Sequence, residues 1–274
     1  MTGPDFGPGT GAGPDLDAGP ALVMVPGLAG TAEFFAGTVA RLAGRLRIVV
    51  VELPGHGGNP TAGRPASLAR AVDDLYKAIE ERDLADVTLL GWSLGATVAY
   101  GYLERFGTAR VSGLISVEQT PRLVVDDSWP YGAFGSLDTD GANATVRSVT
   151  NDYPAFAAGL VGSSFAAGSE PDPAVLAELT AQAQGCAPDA VQALFGDAVA
   201  ADWRERIRAI TVPTLLVHGA RSQVYPGDLG RWLRDAMPAA RLEMFDHSGH
   251  LPFIEEPDRF ARLVAAFAGR PVDG

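Results

Sequence analysis

The chain has 274 residues, of which 47% are hydrophobic, and it carries a formal net charge of −12 at pH 7. This length suffices for one large α/β domain with a sizeable core, and the negative charge excludes an electrostatic groove for nucleic acid. The one cysteine, Cys186, excludes an internal disulfide, and the absence of a membrane-length apolar run or a signal-peptide pattern predicts a cytoplasmic protein with no membrane partner.

Residues 1–19 are rich in glycine and proline with few apolar anchors, which predicts a disordered tail. From Pro20 onward, apolar runs typical of strands alternate with amphipathic segments typical of helices. Because the strand segments lack polar alternation, they predict a mostly parallel central sheet with helices on both faces. The predicted strands are 21–25, 47–52, 87–90 and 111–117, and the predicted helices are 31–42, 67–83 and 96–106.

The alternation stops after Glu118. An aromatic-containing segment follows, with helical patterns only at 173–184 and 188–199. The alternation then resumes, with predicted strands at 212–218 and 241–245 and helices at 227–236 and 257–267. We therefore predict an α/β core formed by residues 20–121 and 206–268, interrupted by a mainly helical cap at 122–205.

The most informative motif is Gly91-Trp92-Ser93-Leu94-Gly95. It follows an apolar strand pattern at 86–90 and precedes a helix pattern at 96–106. A serine on a tight strand-to-helix turn has a strained backbone and an exposed hydroxyl at the carboxyl edge of the sheet. Ser93 is therefore the predicted nucleophile.

Five motifs occur in an order that resembles the α/β-hydrolase fold family. The serine turn and the cap are similar to those of carboxylesterases that cleave pimeloyl esters and of haloperoxidase-like hydrolases. The resemblance implies a serine nucleophile, a histidine base from a late loop and an acid between them in the chain. The motifs are Val25-Pro26-Gly27-Leu28-Ala29-Gly30, Leu53-Pro54-Gly55-His56-Gly57, the Ser93 turn, the segment from Pro213 to Gly219, and Ser248-Gly249-His250-Leu251-Pro252.

His250 is the predicted base, because it follows the last strand and precedes the closing helix, where the family places this group. His247 is a weaker candidate from the same loop. His56 lies in the loop after the second strand and His218 ends a buried strand, so we expect structural roles for both.

The acid departs from the usual family pattern, because Ser222 stands where family members commonly carry aspartate. Some members place the acid one strand earlier, and Glu118 ends that strand here. We therefore predict that Glu118 orients and stabilises His250. Asp228, Asp246 or the absence of any acid remain alternatives.

The resemblance also implies an oxyanion hole formed by two backbone amides. One belongs to Leu94, directly after the nucleophile, and the other to Leu28, in the loop after the first strand. The side chains of these two residues matter little for that role.

Four aromatic residues suggest a pocket for an apolar acyl or ring group, although core packing is the favoured explanation for each of them because aromatic side chains bury large areas. They are Trp92, Trp129, Tyr131 and Phe134. The neighbouring Asp126 and Asp127 have no histidine or third carboxylate at useful spacing, so no metal site is predicted there. No cofactor is expected, and no pattern predicts an oligomeric state.

These features predict a serine hydrolase that cleaves a small carboxylic ester, thioester or lactone through an acyl-enzyme on Ser93. The alternative is a non-hydrolytic biosynthetic enzyme, such as a cyclase or lyase, or a ligand-binding protein on the same fold. It follows if Glu118 does not replace the acid missing at Ser222. Perhydrolysis by attack of peroxide on an acyl group is a further candidate side activity.

Overall fold

A computed structural model of the protein describes residues 20–269; the predicted tail at 1–19 lies outside them. Six parallel strands form one sheet in the order β2-β1-β3-β4-β5-β6, which confirms the predicted fold class. The strands are β1 (Ala21–Val25), β2 (Arg47–Val50), β3 (Val87–Trp92), β4 (Val111–Val117), β5 (Thr214–Gly219) and β6 (Ala240–Phe245).

Ten α-helices occur within residues 20–269. They are α1 (Ala36–Leu42), α2 (Leu68–Glu81), α3 (Leu94–Phe106), α4 (Thr139–Asn151), α5 (Tyr153–Ser164), α6 (Pro173–Gln184), α7 (Pro188–Ala200), α8 (Leu229–Ala236), α9 (Pro252–Glu255) and α10 (Pro257–Ala268). Short 3₁₀ segments cover Ala32–Phe35, Ala133–Gly135 and Arg206–Ala209.

The core has two layers because successive side chains of a strand point to opposite faces of the sheet. Val23 and Leu89 pack in one layer with α2, α3 and α8. Leu22 and Leu90 pack in the other layer with α1, α9 and α10. Burial on both faces explains why the strands read as continuous apolar runs.

The segment between β4 and β5 holds four helices, two more than the sequence pattern predicts. α4 was missed because only Ala142 and Val149 are buried on it, so its apolar periodicity is weak. The available signal was capping: the side chains of Asp138 and Asp152 accept hydrogen bonds from the first-turn amides of α4 and α5, as helix N-caps do.

The strand order creates a crevice at the carboxyl end of the sheet. From β1 the chain moves outward to β2 and then returns to place β3 on the other side of β1. In open α/β sheets, ligands bind where the order reverses in this way. The loops after β1 and β3, which carry Leu28 and Ser93, meet at this point.

Candidate active site

Ser93 lies on a sharp turn between β3 and α3, with φ 52° and ψ −124°. Few non-glycine residues adopt this conformation, and it is held here by close packing on both sides. A Cβ on Gly91 would lie 2.4 Å from the backbone of Ala96, and one on Gly95 would lie 2.1 Å from the carbonyl oxygen of Val25. The two glycines therefore allow the turn that exposes the Ser93 side chain to the crevice.

His250 follows β6 and is held through its own backbone. Its N–H donates a 2.7 Å hydrogen bond to the carbonyl of Ser164, at the end of α5. Its carbonyl accepts a 2.9 Å bond from Nε1 of Trp92. The imidazole and Ser93 line the same cavity, so the structure brings the predicted base and nucleophile together.

Glu118 follows β4 with φ 48°, and its side chain is fully buried. Oε2 lies 3.1 Å from Nδ1 of His250 and accepts a 2.7 Å hydrogen bond from the hydroxyl of Ser222. Oε1 accepts a 2.8 Å bond from the amide of Gly219. The carboxylate is therefore fixed against the imidazole, and Ser222 supports it.

His218 is a further neighbour of this carboxylate, with Nδ1 3.3 Å from Oε1 of Glu118. Burial alone would raise the pKa of Glu118, but hydrogen bonds from His218 and His250 outweigh it and hold the pKa at about 2. Glu118 is therefore ionised at neutral pH, and such a charge stabilises an imidazolium. The sequence predicted only a structural role for His218; its place at the end of β5, beside β4, was the signal for this contact.

The other candidates for base and acid lie apart from the cavity. Asp228 is exposed and pairs with Arg231. Asp246 and His247 are exposed at the end of β6, where the backbone amide of His247 bonds to Glu256. None of these side chains is in the cavity lining.

The loop after β1 is held by His56. The amide of Ala29 donates a 3.0 Å hydrogen bond to Nε2 of this histidine, and Nδ1 lies 3.1 Å from the carbonyl of Pro54. Burial lowers the pKa of His56 to about 4, so the ring is neutral, accepting at Nε2 and donating at Nδ1. His56 thus fixes the loop that carries Leu28.

Leu28 and Leu94 both border the cavity beside Ser93. Leu94 is the first residue of α3, where backbone N–H groups have no partner in their own helix. Within residues 20–269, neither amide is a donor in any hydrogen bond of the structure. Both are available to a ligand in the crevice.

The cavity is open to solvent and contains about 690 Å³ of empty space when the solvent at its mouth is counted. Of the four predicted pocket aromatics, Trp92 and Phe134 line it and Trp129 and Tyr131 do not. Phe134 is 48% exposed and adopts φ 56°. Lining residues that the sequence did not predict include Phe34, Gln119, Leu123, Val161 and Tyr225.

Trp129 instead packs edge-on against Tyr131 and Trp232, with ring centroids 5.3 and 4.7 Å away. Its Nε1 donates a 2.9 Å hydrogen bond to the carbonyl of Arg122. Core packing, which the sequence left open for each aromatic residue, accounts for Trp129 and Tyr131.

No helix in the described part of the chain is long and apolar enough to span a bilayer.

Comparison with known proteins identifies the family of this chain. The sequence profile of the alpha/beta hydrolase family matches residues 22–263. The chain belongs to this family. A relative from Nitrosomonas europaea, named pimeloyl-[acyl-carrier protein] methyl ester esterase, is 33% identical over 94% of this chain and 96% of its own length.

Solved structures of other alpha/beta hydrolases are also similar. An esterase from Exiguobacterium antarcticum superposes with a TM-score of 0.85 at 25% identity, covering 95% of this chain and 97% of the esterase. A bromoperoxidase from Bacillus anthracis gives 0.82 at 21% identity, covering 91% and 92%; this likeness shows the fold alone. The predicted family resemblance is confirmed, and ester hydrolysis is the activity that the named relatives support.

Proposed function

We propose that this protein is a serine hydrolase that cleaves small carboxylic esters through an acyl-enzyme on Ser93, with His250 as the base and Glu118 as the acid. The observation that carries the proposal is the 3.1 Å contact between Nδ1 of His250 and the buried carboxylate of Glu118. His250 lines the same cavity as Ser93. The relatives named as esterases support the same chemistry.

In the first half-reaction, Nε2 of His250 takes the proton of Ser93 as Oγ attacks the ester carbonyl. The ionised Glu118 holds the imidazole in the tautomer that leaves Nε2 free and stabilises the imidazolium that forms. The amides of Leu28 and Leu94 donate to the developing oxyanion, where such donors typically supply about 10²–10³ in rate. His250 then gives the proton to the departing alcohol.

In the second half-reaction, His250 activates a water molecule that attacks the acyl carbon and releases Ser93. Glu118 keeps its charge throughout, because its pKa of about 2 lies far below neutral pH. The alternative of a non-hydrolytic enzyme or ligand-binding protein depended on the lack of an acid near His250. The Glu118 contact removes the reason for preferring it.

The cavity lining favours an apolar acyl group, with Phe34, Trp92 and Phe134 as aromatic walls. The relative from Nitrosomonas europaea is named for a substrate attached to an acyl carrier protein. In this chain, residues 138–200 contain eight carboxylates and one basic residue, Arg147, and they contribute Leu160 and Phe195 to the lining. Such a surface repels an anionic carrier, so we propose a free, uncharged ester as substrate.

The division into a core (20–121 and 206–268) and a helical cap (122–205) is part of this proposal. The cap would supply one wall of the cavity through α5 and α7, whose residues Leu160, Val161, Phe195 and Ala198 border it. A cytoplasmic location remains a prediction from the sequence.

Reaction with a small fluorophosphonate, followed by intact mass, tests the proposal. Wild type should gain one adduct rapidly, Ser93→Ala should gain none, and Glu118→Gln should react slowly. Ser148→Ala, which removes an exposed serine on α4, should behave as wild type. An unlabelled but folded wild-type protein would overturn the proposed function.

A further inference from the structure

Tyr225 is a polar group of the cavity that the scheme above does not use. It is buried and lines the cavity together with Ser93 and His250. Its ring packs edge-on against the imidazole of His250, with centroids 5.5 Å apart. Its hydroxyl donates a 2.5 Å hydrogen bond to Oε1 of Gln119.

The direction of this hydrogen bond is fixed by the other contacts of Gln119. Oε1 also accepts a 2.9 Å bond from the backbone amide of Thr120. Because a backbone N–H can only donate, the amide atom facing it must be the oxygen. Nε2 points the other way and donates a 2.7 Å bond to Oγ1 of Thr97. The phenol proton of Tyr225 is therefore committed to Gln119.

With its single proton engaged, the Tyr225 oxygen can offer only lone pairs to the cavity. Burial raises the pKa of Tyr225 well above its usual range, against an interaction with the Ser93 side chain that lowers it, so the group stays a neutral phenol. The cavity lining thus includes, with the nucleophile, a tyrosine whose oxygen can accept a hydrogen bond.

The lone pairs of this oxygen become available to the second half-reaction. In the free enzyme the Ser93 proton passes to Nε2 of His250, and once Oγ is acylated it has no proton to donate to Tyr225. A buried acceptor without a donor is costly. The molecule that must enter next, with protons to donate, is water.

We propose that Tyr225 positions the water molecule that hydrolyses the acyl-enzyme. This inference rests on the proposed function. One water proton bonds to Tyr225 and the other passes to Nε2 of His250 as the water oxygen bonds to the acyl carbon. The bond from the acyl carbon to Oγ then breaks, and His250 returns its proton to Ser93, leaving the carboxylic acid product.

The test is Tyr225→Phe, which removes the oxygen and keeps the ring, measured by stopped flow with p-nitrophenyl butyrate. Release of p-nitrophenol reports acylation in the burst and deacylation in the steady state. We expect deacylation, and hence kcat, to fall about tenfold, while the acylation rate constant stays close to wild type, so that acyl-enzyme accumulates.

The matched control is Tyr153→Phe, because Tyr153 is also buried and donates a 2.7 Å hydrogen bond, to the carbonyl of Ala183, but does not line the cavity. It should leave both rate constants unchanged. As a second variant, Gln119→Leu frees the phenol proton of Tyr225 and should also slow deacylation selectively.

Equal loss of acylation and deacylation in Tyr225→Phe, or no loss of either, overturns the role in water positioning. Fluorophosphonate labelling separates this failure from failure of the proposed function. Labelling of wild type and Tyr225→Phe at equal rates leaves Ser93 as the nucleophile whatever the deacylation result. An unlabelled wild type removes the proposed function itself.

Discussion

The hydroxyl of Ser222 donates a 2.7 Å hydrogen bond to Oε2 of Glu118, the same oxygen that lies 3.1 Å from Nδ1 of His250. The family resemblance leads one to expect an acid at position 222. Here the carboxylate comes from the end of β4, and the loop after β5 supplies a hydroxyl that binds it. The two side chains therefore meet at the carboxylate oxygen that contacts the imidazole.

This relationship predicts that the acid can be relocated. Glu118→Gln should lower kcat by about 10³–10⁴, because the amide no longer holds the imidazole in the correct tautomer or stabilises its charge. Adding Ser222→Asp to that variant should restore part of the loss. The measurement is kcat for p-nitrophenyl butyrate, with circular dichroism to verify the fold.

Ser222→Asp alone is the control for the relocation. Two carboxylates would then meet at one imidazole, and their repulsion raises the pKa of one of them, so activity should fall. If the double variant were no more active than Glu118→Gln alone, the carboxylate at 118 would not act through its contact with His250.

His218 should act as a positioning residue through Glu118. His218→Leu removes the Nδ1 contact at 3.3 Å and should raise the pKa of Glu118, because that hydrogen bond lowers it. We expect kcat to fall about tenfold and the acid limb of its pH profile to move to higher pH. His218→Asn, whose amide can donate to Oε1, should recover the wild-type profile. An unshifted acid limb in His218→Leu, or a His218→Asn profile no closer to wild type, would contradict this role.

His56 should make stability depend on pH. Its pKa is lowered from 6.5 to about 4 by burial, so the unfolded chain binds the proton more readily than the folded protein. The contribution of neutral His56 to the free energy of unfolding is therefore fully present above pH 6.5 and is lost as the pH falls toward 4. Between pH 7 and pH 5 the loss is about 2 kcal/mol.

Urea unfolding at pH 7 and pH 5 measures this contribution. His56→Gln should be less stable than wild type at pH 7, because the bonds to Ala29 and Pro54 are disturbed, and its stability should change less between the two pH values. An unchanged pH dependence would show that His56 does not titrate on unfolding as described.

Gly95 is required by contact with backbone atoms. An added Cβ would lie 2.1 Å from the carbonyl oxygen of Val25, so Gly95→Ala should destabilise the protein by about 3 kcal/mol or more. Gly159, exposed in α5, has nothing within 4 Å of its added Cβ. Gly159→Ala should instead stabilise the protein by up to about 1 kcal/mol. Thermal unfolding of both variants against wild type provides the comparison.

Substrate charge should affect turnover. Dimethyl pimelate is neutral, whereas monomethyl pimelate carries a carboxylate that meets the acidic surface of residues 138–200. We expect the neutral ester to have the higher kcat/KM and the difference to shrink as salt screens the charges. Faster hydrolysis of the monoester, measured by acid release, would contradict the proposed preference for uncharged esters.

The sequence by itself determined the sheet, the Ser93 turn and the placement of His250 after the last strand. These features are local: apolar runs define the strands, and a glycine on either side of a serine defines the turn. The ends of the elements were predicted less accurately, since the predicted helix at 31–42 divides into a 3₁₀ segment and α1. Helix α4 was missed because its apolar face is small.

Tertiary structure alone decided which carboxylate meets His250, since Glu118 lies 132 residues away in the chain and the other candidates are as close in sequence or closer. It also separated Trp92, in the cavity, from Trp129, in the packed core, although both are apolar and buried. The contact of Tyr225 with Gln119 spans 106 residues. Such contacts depend on how strands and loops stack in space, and local sequence patterns contain no information about that distance.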